Sequence, residues 1–306
     1  MATVTDYLKL HFIVLLWGFT AVAGLLISIP AVEMVFYRTL LAALGMVVYL
    51  AWRKESMLVS AADLFTLLSI GIIVSAHWLT FFASARVSNA SVSLVGFATN
   101  SLWAALLEPL SNRQRIKWIE PVLGLVVISG LYIIFSFDFQ YPLGLALGVA
   151  SGFTAALFSV LNARLVKRIT PERITLYEMW GAWLATTAFL PLYQHVWAED
   201  NQLRLIPAAT DWLYLIFLAW GCSLYAYAVA IHLMKKLSVF FIQLTLNLEP
   251  VYGIVLALIV FGDKEKMGWN FYLGTLIIVS AVLLYPWLRA RFIPAELPHK
   301  SPSQIT

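Results

Sequence analysis

The sequence predicts an all-α integral membrane protein with ten transmembrane helices, arranged as two inverted five-helix repeats. Composition is the first observation: 61% of the 306 residues are hydrophobic and 12% are charged, against roughly 45–50% and 25% in soluble domains. The second is hydropathy, because a mean value of +0.85 over this length accommodates about ten spans of ~20 residues with short loops. The third is an internal sequence repeat.

Apolar runs of membrane length follow one another along the chain. The first is too long for the apolar region of a signal peptide, and Lys9 is the only basic residue before it, so we interpret it as a span. The longest connection is Tyr193–Asp211, and the proline-containing tail after Arg291 is predicted to be disordered. The predicted spans cover about 9–28, 32–52, 63–85, 90–110, 118–136, 142–164, 172–193, 212–234, 238–261 and 269–289.

Basic residues are distributed unequally between the two sides of these spans. Ten spans place both termini on one side, and with the N-terminus inside, fifteen Lys and Arg residues are cytoplasmic and four are external. Such an excess in cytoplasmic loops is the positive-inside signal. The sequence therefore predicts a multi-pass protein of the bacterial cytoplasmic (inner) membrane with both termini in the cytoplasm.

The two halves of the chain share features in the same order. Gly18–Ala21 (GFTA) recurs as Gly152–Ala155, and Ala90–Ile116 aligns without gaps on Val239–Glu265. A proline also precedes the second span of each half. Because each half holds an odd number of spans, the second half must be inverted relative to the first, an arrangement typical of secondary transporters.

This repeat defines the predicted domain organisation. Residues 1–137 form the first five-helix repeat, residues 138–292 form the second, and residues 293–306 form a cytoplasmic tail.

A carboxylate, Glu249, lies at the middle of the apolar run Leu237–Gly262. A charge at the bilayer centre costs a few kcal/mol on insertion scales, so such groups usually face a protein interior or an aqueous cavity. Pro250 follows and opens the helical hydrogen-bond ladder. One interpretation is a packing kink with a neutral, hydrogen-bonded glutamate. The other is a binding and proton-coupling group, because apolar surroundings favour the neutral carboxyl group whereas a nearby cation favours the charged one.

Several short motifs carry a family resemblance: Trp17-Gly18, Arg38, Phe82–Ser91, Leu248–Tyr252 and the following Phe261–Asp263. Together they resemble the drug/metabolite transporter (DMT) superfamily in its EamA-like branch, over about residues 9–290. The resemblance implies alternating access through a central cavity lined mainly by spans 1–4 and 6–9. It also implies that spans 5 and 10 stand at the back, where a second subunit can pack to form a homodimer.

Other polar residues within the predicted spans allow two interpretations each. Asn100 aligns with Glu249 in the repeat, and its amide can contact substrate or bridge helices. Phe97 shares the helix face of Asn100, and Tyr252 shares that of Glu249.

Arg38 lies about a third of the way into the second predicted span, away from the span ends where other basic residues occur. Its guanidinium can bind an anionic substrate, or it can pair structurally with Glu33, Glu178 or Glu249.

Near the cytoplasmic surface, Glu108 and Glu120 are expected to pair with neighbouring basic residues.

Histidines and aromatic residues complete the candidate set. His77 and His232 have no zinc-motif spacing, and a hydrogen-bonded packing role competes with a role at the site. Trp17, Trp78 and Tyr227 lie on spans that the resemblance places around the cavity, where an aromatic wall suits an amphipathic or cationic solute. The predicted substrate-binding residues are Glu249, Asn100, Trp17, Trp78, Tyr227, Tyr252, Phe97, Arg38 and His77, with Glu249 also as the proton-coupling group.

The sequence points away from several function classes. Cys222 is the only cysteine, which excludes an intramolecular disulfide and argues against a cysteine-based metal site. We expect no cofactor and no ATP hydrolysis, because a glycine-rich phosphate loop is missing from the sequence, and we expect no nucleic-acid partner, because no such motif occurs.

We therefore predict a secondary transporter, or permease, rather than an enzyme. It would move a small polar or amphipathic metabolite, such as an amino acid or amine, across the lipid bilayer. The alternative is an integral-membrane enzyme that uses Glu249, His77 and His232 as acid/base groups, although no nucleophile lies at a recognisable spacing from a base. A channel is a third class.

Overall fold

A computed structural model describes residues 2–88, 90–135, 141–252 and 268–292. Within these ranges the chain is helical and contains no strand. The boundary between the two predicted repeats, the second half of the ninth span, the Phe261–Asp263 motif and the predicted disordered tail lie outside the described residues.

The helices follow the order of the predicted spans. The fourth helix consists of two pieces, and helical structure resumes after the ninth at residues 249–252. The bounds are α1 Val4–Leu26, α2 Ala31–Trp52, α3 Ala61–Val87, α4 Ala90–Phe97 and Thr99–Asn112, α5 Ile119–Phe135, α6 Pro142–Leu165, α7 Pro171–Val196, α8 Asp211–Leu233, α9 Val239–Leu246 and α10 Trp269–Phe292.

Local sequence explains where several helices begin. The backbone N–H of Thr3 donates to the Asp6 carboxylate, so α1 starts earlier than hydropathy indicates. Ser60 caps α3 by accepting the N–H of Asp63. The helices α6 and α7 each begin with a proline, which has no N–H to leave unpaired in the first turn.

The outer faces of the helices are apolar. Five helices of the described ranges, α2, α3, α6, α8 and α10, are long and apolar enough to cross a membrane by length and composition. Large side chains on their outward faces are exposed, including Val48 at 67%, Leu276 at 63% and Leu283 at 67%. Exposed apolar side chains on so many helices are typical of a surface that contacts lipid or another protein.

Helix packing reflects the two inverted repeats. The α3–α7 contact is matched by the α8–α2 contact, since α3 and α2 occupy the positions in the first repeat that α8 and α7 occupy in the second. The contact between α5 and α10 joins the last helices of the two repeats. The fold is therefore all-α, with ten transmembrane helices in two inverted five-helix repeats.

Two helices are interrupted at equivalent positions of the repeat. The first piece of α4 ends at Phe97, and α9 ends at Leu246, the residue that aligns with Phe97. In α9 the break is explained by Pro250, which cannot donate to the carbonyl of Leu246. In α4 no proline lies at the break, and the Ser101 hydroxyl donates to the carbonyl of Ala98 instead. Broken helices of this kind mark the midplane sites of secondary transporters.

A third irregularity lies in α8. Residues Phe217–Tyr225 form a π-helix between two α-helical pieces. The hydroxyl of Ser223 donates to the carbonyl of Leu218 within this segment. The π-helix changes which side chains face the protein interior, and such segments occur frequently at functional sites.

Glycine allows α3 and α7 to cross at close range. A Cβ atom on Gly71 would lie 2.4 Å from the carbonyl oxygen of Glu178 and 2.7 Å from the Cα of Gly181. Both contacts are to backbone, which cannot move aside like a flexible side chain.

We therefore expect Gly71→Leu to separate α3 from α7 and to lower the free energy of unfolding by about 3 kcal/mol or more. Thermal unfolding and size-exclusion chromatography in detergent measure this effect. Gly268→Leu is the matched control, because no atom of the described residues lies within 4 Å of a Cβ at that position. Equal stability of the two variants would contradict the close crossing.

Candidate functional site

A cavity of about 100 Å³ lies between helices of both repeats, lined from α1–α4 and from α6, α8, α9 and the segment after α9. It reaches the breaks of α4 and α9, because Phe97 and Leu246 both line it. Seven of the nine residues predicted to bind substrate line this cavity: Trp17, Arg38, His77, Trp78, Phe97, Tyr227 and Glu249.

Arg38 is the buried cation of the cavity, with 3% of its surface exposed. Its Nε donates to the hydroxyl of Ser223 in the π-helix, and its guanidinium carbon lies 4.5 Å from the centre of the Trp78 ring. Within the described residues Arg38 forms no ion pair. The cation–π contact and one hydrogen bond leave further N–H groups of the guanidinium for a ligand.

None of the three carboxylates considered as partners of Arg38 pairs with it directly. Glu33 accepts the backbone N–H of Arg204 in the loop after α7. Glu178 accepts hydrogen bonds from Tyr227 and Asn162. Glu249 lines the same cavity as Arg38 and interacts with it electrostatically, without direct pairing.

Aromatic rings form much of the cavity wall. The centre of the His77 ring lies 5.5 Å from that of Phe97 and 5.7 Å from that of Phe158. The Nδ1 atom of His77 lies 3.0 Å from the carbonyl oxygen of Ser151 and 2.9 Å from its hydroxyl. His77 thus combines a packing role with a place in the cavity lining.

Trp17 ties α1 to the π-helix. Its Nε1–H donates to the carbonyl of Cys222 at 3.0 Å, while its ring lines the cavity. The π-helical segment of α8 therefore provides the backbone carbonyl of Cys222 for Trp17 and the side-chain hydroxyl of Ser223 for Arg38.

Asn100 and Tyr252 lie outside the cavity lining. Asn100 is fully buried, and its Oδ1 atom lies 3.5 Å from Nδ2 of Asn247 at the break of α9. That geometry corresponds to a bridge between helices. The hydroxyl of Tyr252 lies 2.7 Å from Nδ1 of His11 on α1.

Sequence reasoning did not select several lining residues: Thr20, Phe81, Phe82, Phe158, Ser159, Cys222 and Gln243. Gln243 of α9 bonds to a neighbouring helix, because its Nε2 atom donates to Ser159 of α6 at 2.7 Å. Ser223, which holds Arg38, was also missed. No sequence signal marks Cys222 and Ser223, because their orientation depends on the π-helix.

A second, larger opening of about 770 Å³ lies beside the cavity. We call it the vestibule. Charged residues line it, namely Glu33, Arg86, Glu199 and Arg204. Phe81 and Phe82 line both the vestibule and the cavity, so this aromatic pair stands between them.

Polar contacts join neighbouring helices at the other end of the molecule. The Glu108 carboxylate on α4 accepts the N–H groups of Val239 and Phe240, at 3.1 and 2.9 Å, in the first turn of α9. Lys236 pairs with Asp6 at 2.9 Å. The expectation that Glu108 pairs with neighbouring basic residues is therefore wrong: it caps the N-terminus of α9, where the helix dipole favours an anion.

Glu108→Ala is expected to lower the free energy of unfolding by about 1–3 kcal/mol, because it leaves two backbone donors without their acceptor. Glu108→Gln keeps one acceptor oxygen and should lose less. Thermal unfolding checks both, with Glu55→Ala as the control, since Glu55 forms an exposed ion pair with Arg53 that should contribute at most about 1 kcal/mol. An equal effect of Glu108→Ala and Glu55→Ala would contradict the capping role.

Comparison with known proteins identifies the family. The profile of the EamA-like transporter family matches residues 7–136 and again residues 142–285. The two matches together cover most of the chain. The chain belongs to the EamA-like transporter family.

Two proteins resemble this EamA-like transporter at low sequence identity. An "Uncharacterized transporter" of Haemophilus influenzae (strain ATCC 51907 / DSM 11121 / KW20 / Rd) is 21% identical over 289 residues, which covers 88% of this chain and 90% of the relative. A solved structure titled "Crystal structure of protein" superimposes with a TM-score of 0.78 at 15% identity. That alignment covers 96% of this chain and 100% of the other, so the two share the fold.

In this EamA-like transporter, the three acid/base groups proposed for the enzyme alternative do not lie in one site. Glu249 and His77 line the cavity, whereas His232 is exposed at the end of α8 and does not line it. Among the described residues no three His, Cys, Asp or Glu side chains are grouped as metal ligands would be.

Proposed function

We propose that this EamA-like transporter is a secondary transporter of a small polar or amphipathic metabolite, such as an amino acid or amine. One observation carries the proposal: the buried Arg38 and the carboxylate of Glu249 line one aromatic cavity without pairing directly. Unpaired opposite charges inside a membrane domain are expensive, and their retention points to a ligand that binds them.

The chemistry of the cavity supports a zwitterionic solute. Arg38 offers N–H donors to a carboxylate, with the bidentate geometry that a guanidinium favours. Glu249 and the faces of Trp17 and Trp78 suit an ammonium group. An amino acid satisfies both ends, whereas a simple amine uses Glu249 and the aromatic rings alone.

Alternating access is supported by the asymmetry of the two ends. The cavity adjoins the vestibule through Phe81 and Phe82, while Glu108, Asp6 and Lys236 hold the other end closed. In this conformation solute would enter from the vestibule side. Movement of the repeats against each other would then close the vestibule and release the cap on α9.

We propose that a second subunit packs on the back of the molecule. The helices α5 and α10 pack against each other there, and their outer faces expose Val122, Leu125, Leu276 and Leu283. Such a face suits lipid or an identical copy of the chain, and we propose the homodimer on this basis.

The proposed location is the bacterial inner membrane with both termini in the cytoplasm, which places the vestibule outside. Gln202 lies beside the vestibule and Ser56 in the α2–α3 loop, and both are exposed. In a Cys222→Ser background, Gln202→Cys should react with an impermeant thiol reagent on intact cells, and Ser56→Cys should react only after lysis. Reaction of both on intact cells would contradict this topology.

Ligand-induced thermal stabilisation tests the proposed function. A solute that binds the folded state raises its melting temperature by mass action, by an amount that depends on concentration over Kd. The purified protein should respond to at least one compound in a panel of amino acids, amines, nucleosides and sugars. A melting temperature unmoved by every member would contradict this substrate class.

A further inference from the structure

A second buried carboxyl group lies one side chain away from the cavity. Glu178 on α7 is 0% exposed and does not line the cavity. Its Oε2 atom accepts hydrogen bonds from the Tyr227 hydroxyl at 2.6 Å and from Asn162 Nδ2 at 3.0 Å. Its Oε1 atom has no hydrogen-bond partner among the described residues, and neither has Oδ1 of Asn162.

No cation of the described residues neutralises Glu178. From α8 the titratable neighbour is Tyr227, and from α6 the neighbour is the neutral Asn162. The helix α3 packs against α7 at Gly71. A titratable group of α3, His77, contacts Ser151. On α2, Arg38 binds Ser223.

Two further charged groups on these packed helices are also engaged elsewhere. Glu33 of α2 binds Arg204, and Asp63 of α3 pairs with Arg168.

These surroundings favour the neutral form of Glu178. Desolvation strongly disfavours a buried carboxylate without a cation, and two neutral donors offset only part of that cost. A proton on Oε1 removes the charge. It also turns an acceptor without a partner into a donor, next to an amide whose carbonyl oxygen has no donor.

Tyr227 connects this carboxyl group to the cavity. Its ring lines the cavity while its hydroxyl contacts Glu178. We propose that Glu178 is a second proton-binding site, separate from Glu249, and that Tyr227 passes its proton to and from the cavity. This inference rests on the proposed transport function.

Proton transfer along this path needs no reactant other than cavity water. The carboxyl group first turns so that its O–H donates to the Tyr227 oxygen, with the phenol O–H directed into the cavity. The carboxyl proton then moves to the phenol oxygen as the phenol proton moves to water. Tyr227 remains neutral, Glu178 becomes a carboxylate, and the reverse steps reload it. The transporter thus has two carboxyl groups that exchange protons with the cavity.

Infrared spectroscopy of the purified full-length protein tests both parts of the proposal. At neutral pH the carboxylic-acid C=O stretching region should contain a band that Glu178→Gln removes and Glu249→Gln leaves. After transfer to D₂O that band shifts as the proton exchanges. Tyr227→Phe should slow this exchange on the order of 100-fold, the contribution of a positioned proton-transfer group. Tyr225→Phe is the matched control, because Tyr225 lies on the same helix and is exposed.

Two results would overturn the proposal. A carboxylic-acid region unchanged in Glu178→Gln means that Glu178 is ionised, and an exchange rate unchanged in Tyr227→Phe means that Tyr227 is no relay. Should Glu178→Gln fail to fold, Asn162→Val decides instead, since loss of its N–H donor must move the band of a protonated Glu178. None of these measurements involves transport, so they stand or fall separately from the proposed function.

Discussion

Glu249→Gln is expected to abolish proton-driven accumulation of the substrate while the protein stays folded. Glutamine keeps the shape of the side chain and removes its titration. In the cavity, Glu249 shares the lining with Arg38 and the aromatic wall, so a cationic group of the substrate can replace the proton there. Such a carboxyl group exchanges one cation for another only if it can lose its proton.

Proteoliposomes with an imposed pH gradient provide the measurement. Wild-type protein should accumulate the ligand found by thermal stabilisation, and Glu249→Gln should lose that accumulation at every pH. Glu172→Gln on the first turn of α7 is the control. Size-exclusion profiles establish first that each variant is folded. Accumulation by Glu249→Gln equal to wild type would leave Glu249 as a packing residue beside Pro250.

Arg38→Met is expected to weaken substrate binding about 100-fold without loss of stability. Charge-assisted hydrogen bonds contribute about 1.5–3 kcal/mol each, and every 1.4 kcal/mol is tenfold in affinity. Replacement of a buried ion by an apolar side chain of similar volume is often neutral or stabilising. The methionine should still pack against Trp78, which now contacts the guanidinium.

Thermal stabilisation by the ligand measures this effect together with the melting temperature of the free protein. Arg204→Met is the control, because Arg204 lies in the vestibule with an exposed side chain. An unchanged ligand response in Arg38→Met would show that the arginine is structural. A stronger response would identify the solute as an amine without a carboxylate, since Arg38 then repels it.

Hydropathy and the internal sequence repeat alone predict much of the fold. The predicted spans 32–52 and 142–164 correspond closely to α2 at Ala31–Trp52 and α6 at Pro142–Leu165. Helix α1 begins at Val4 instead of residue 9, because the Thr3–Asp6 contact extends it beyond the apolar run. The break in α4 was not predicted, since no proline lies there. The repeat aligns α4 with α9 and the Pro250 that follows it, and this alignment could have indicated the break in α4.

The candidate site was less predictable, because it depends on helix register. Arg38 and Glu249 stand out in the sequence as charges within apolar runs, and both line the cavity. Asn100 was placed there by assuming one continuous helix, whereas the break after Phe97 leaves it bridging to Asn247. Ser223 could not be found at all, since a π-helix sets its direction.

Counterflow in proteoliposomes tests most directly whether this protein is a carrier. Vesicles loaded with the unlabelled ligand are diluted into a trace of the same labelled compound. Alternating access predicts a transient accumulation of label above its equilibrium level, and this exchange needs no net proton movement. Uptake that only approaches equilibrium, without an overshoot, would contradict the carrier mechanism and indicate a channel. Chemical conversion of the labelled compound would indicate an enzyme.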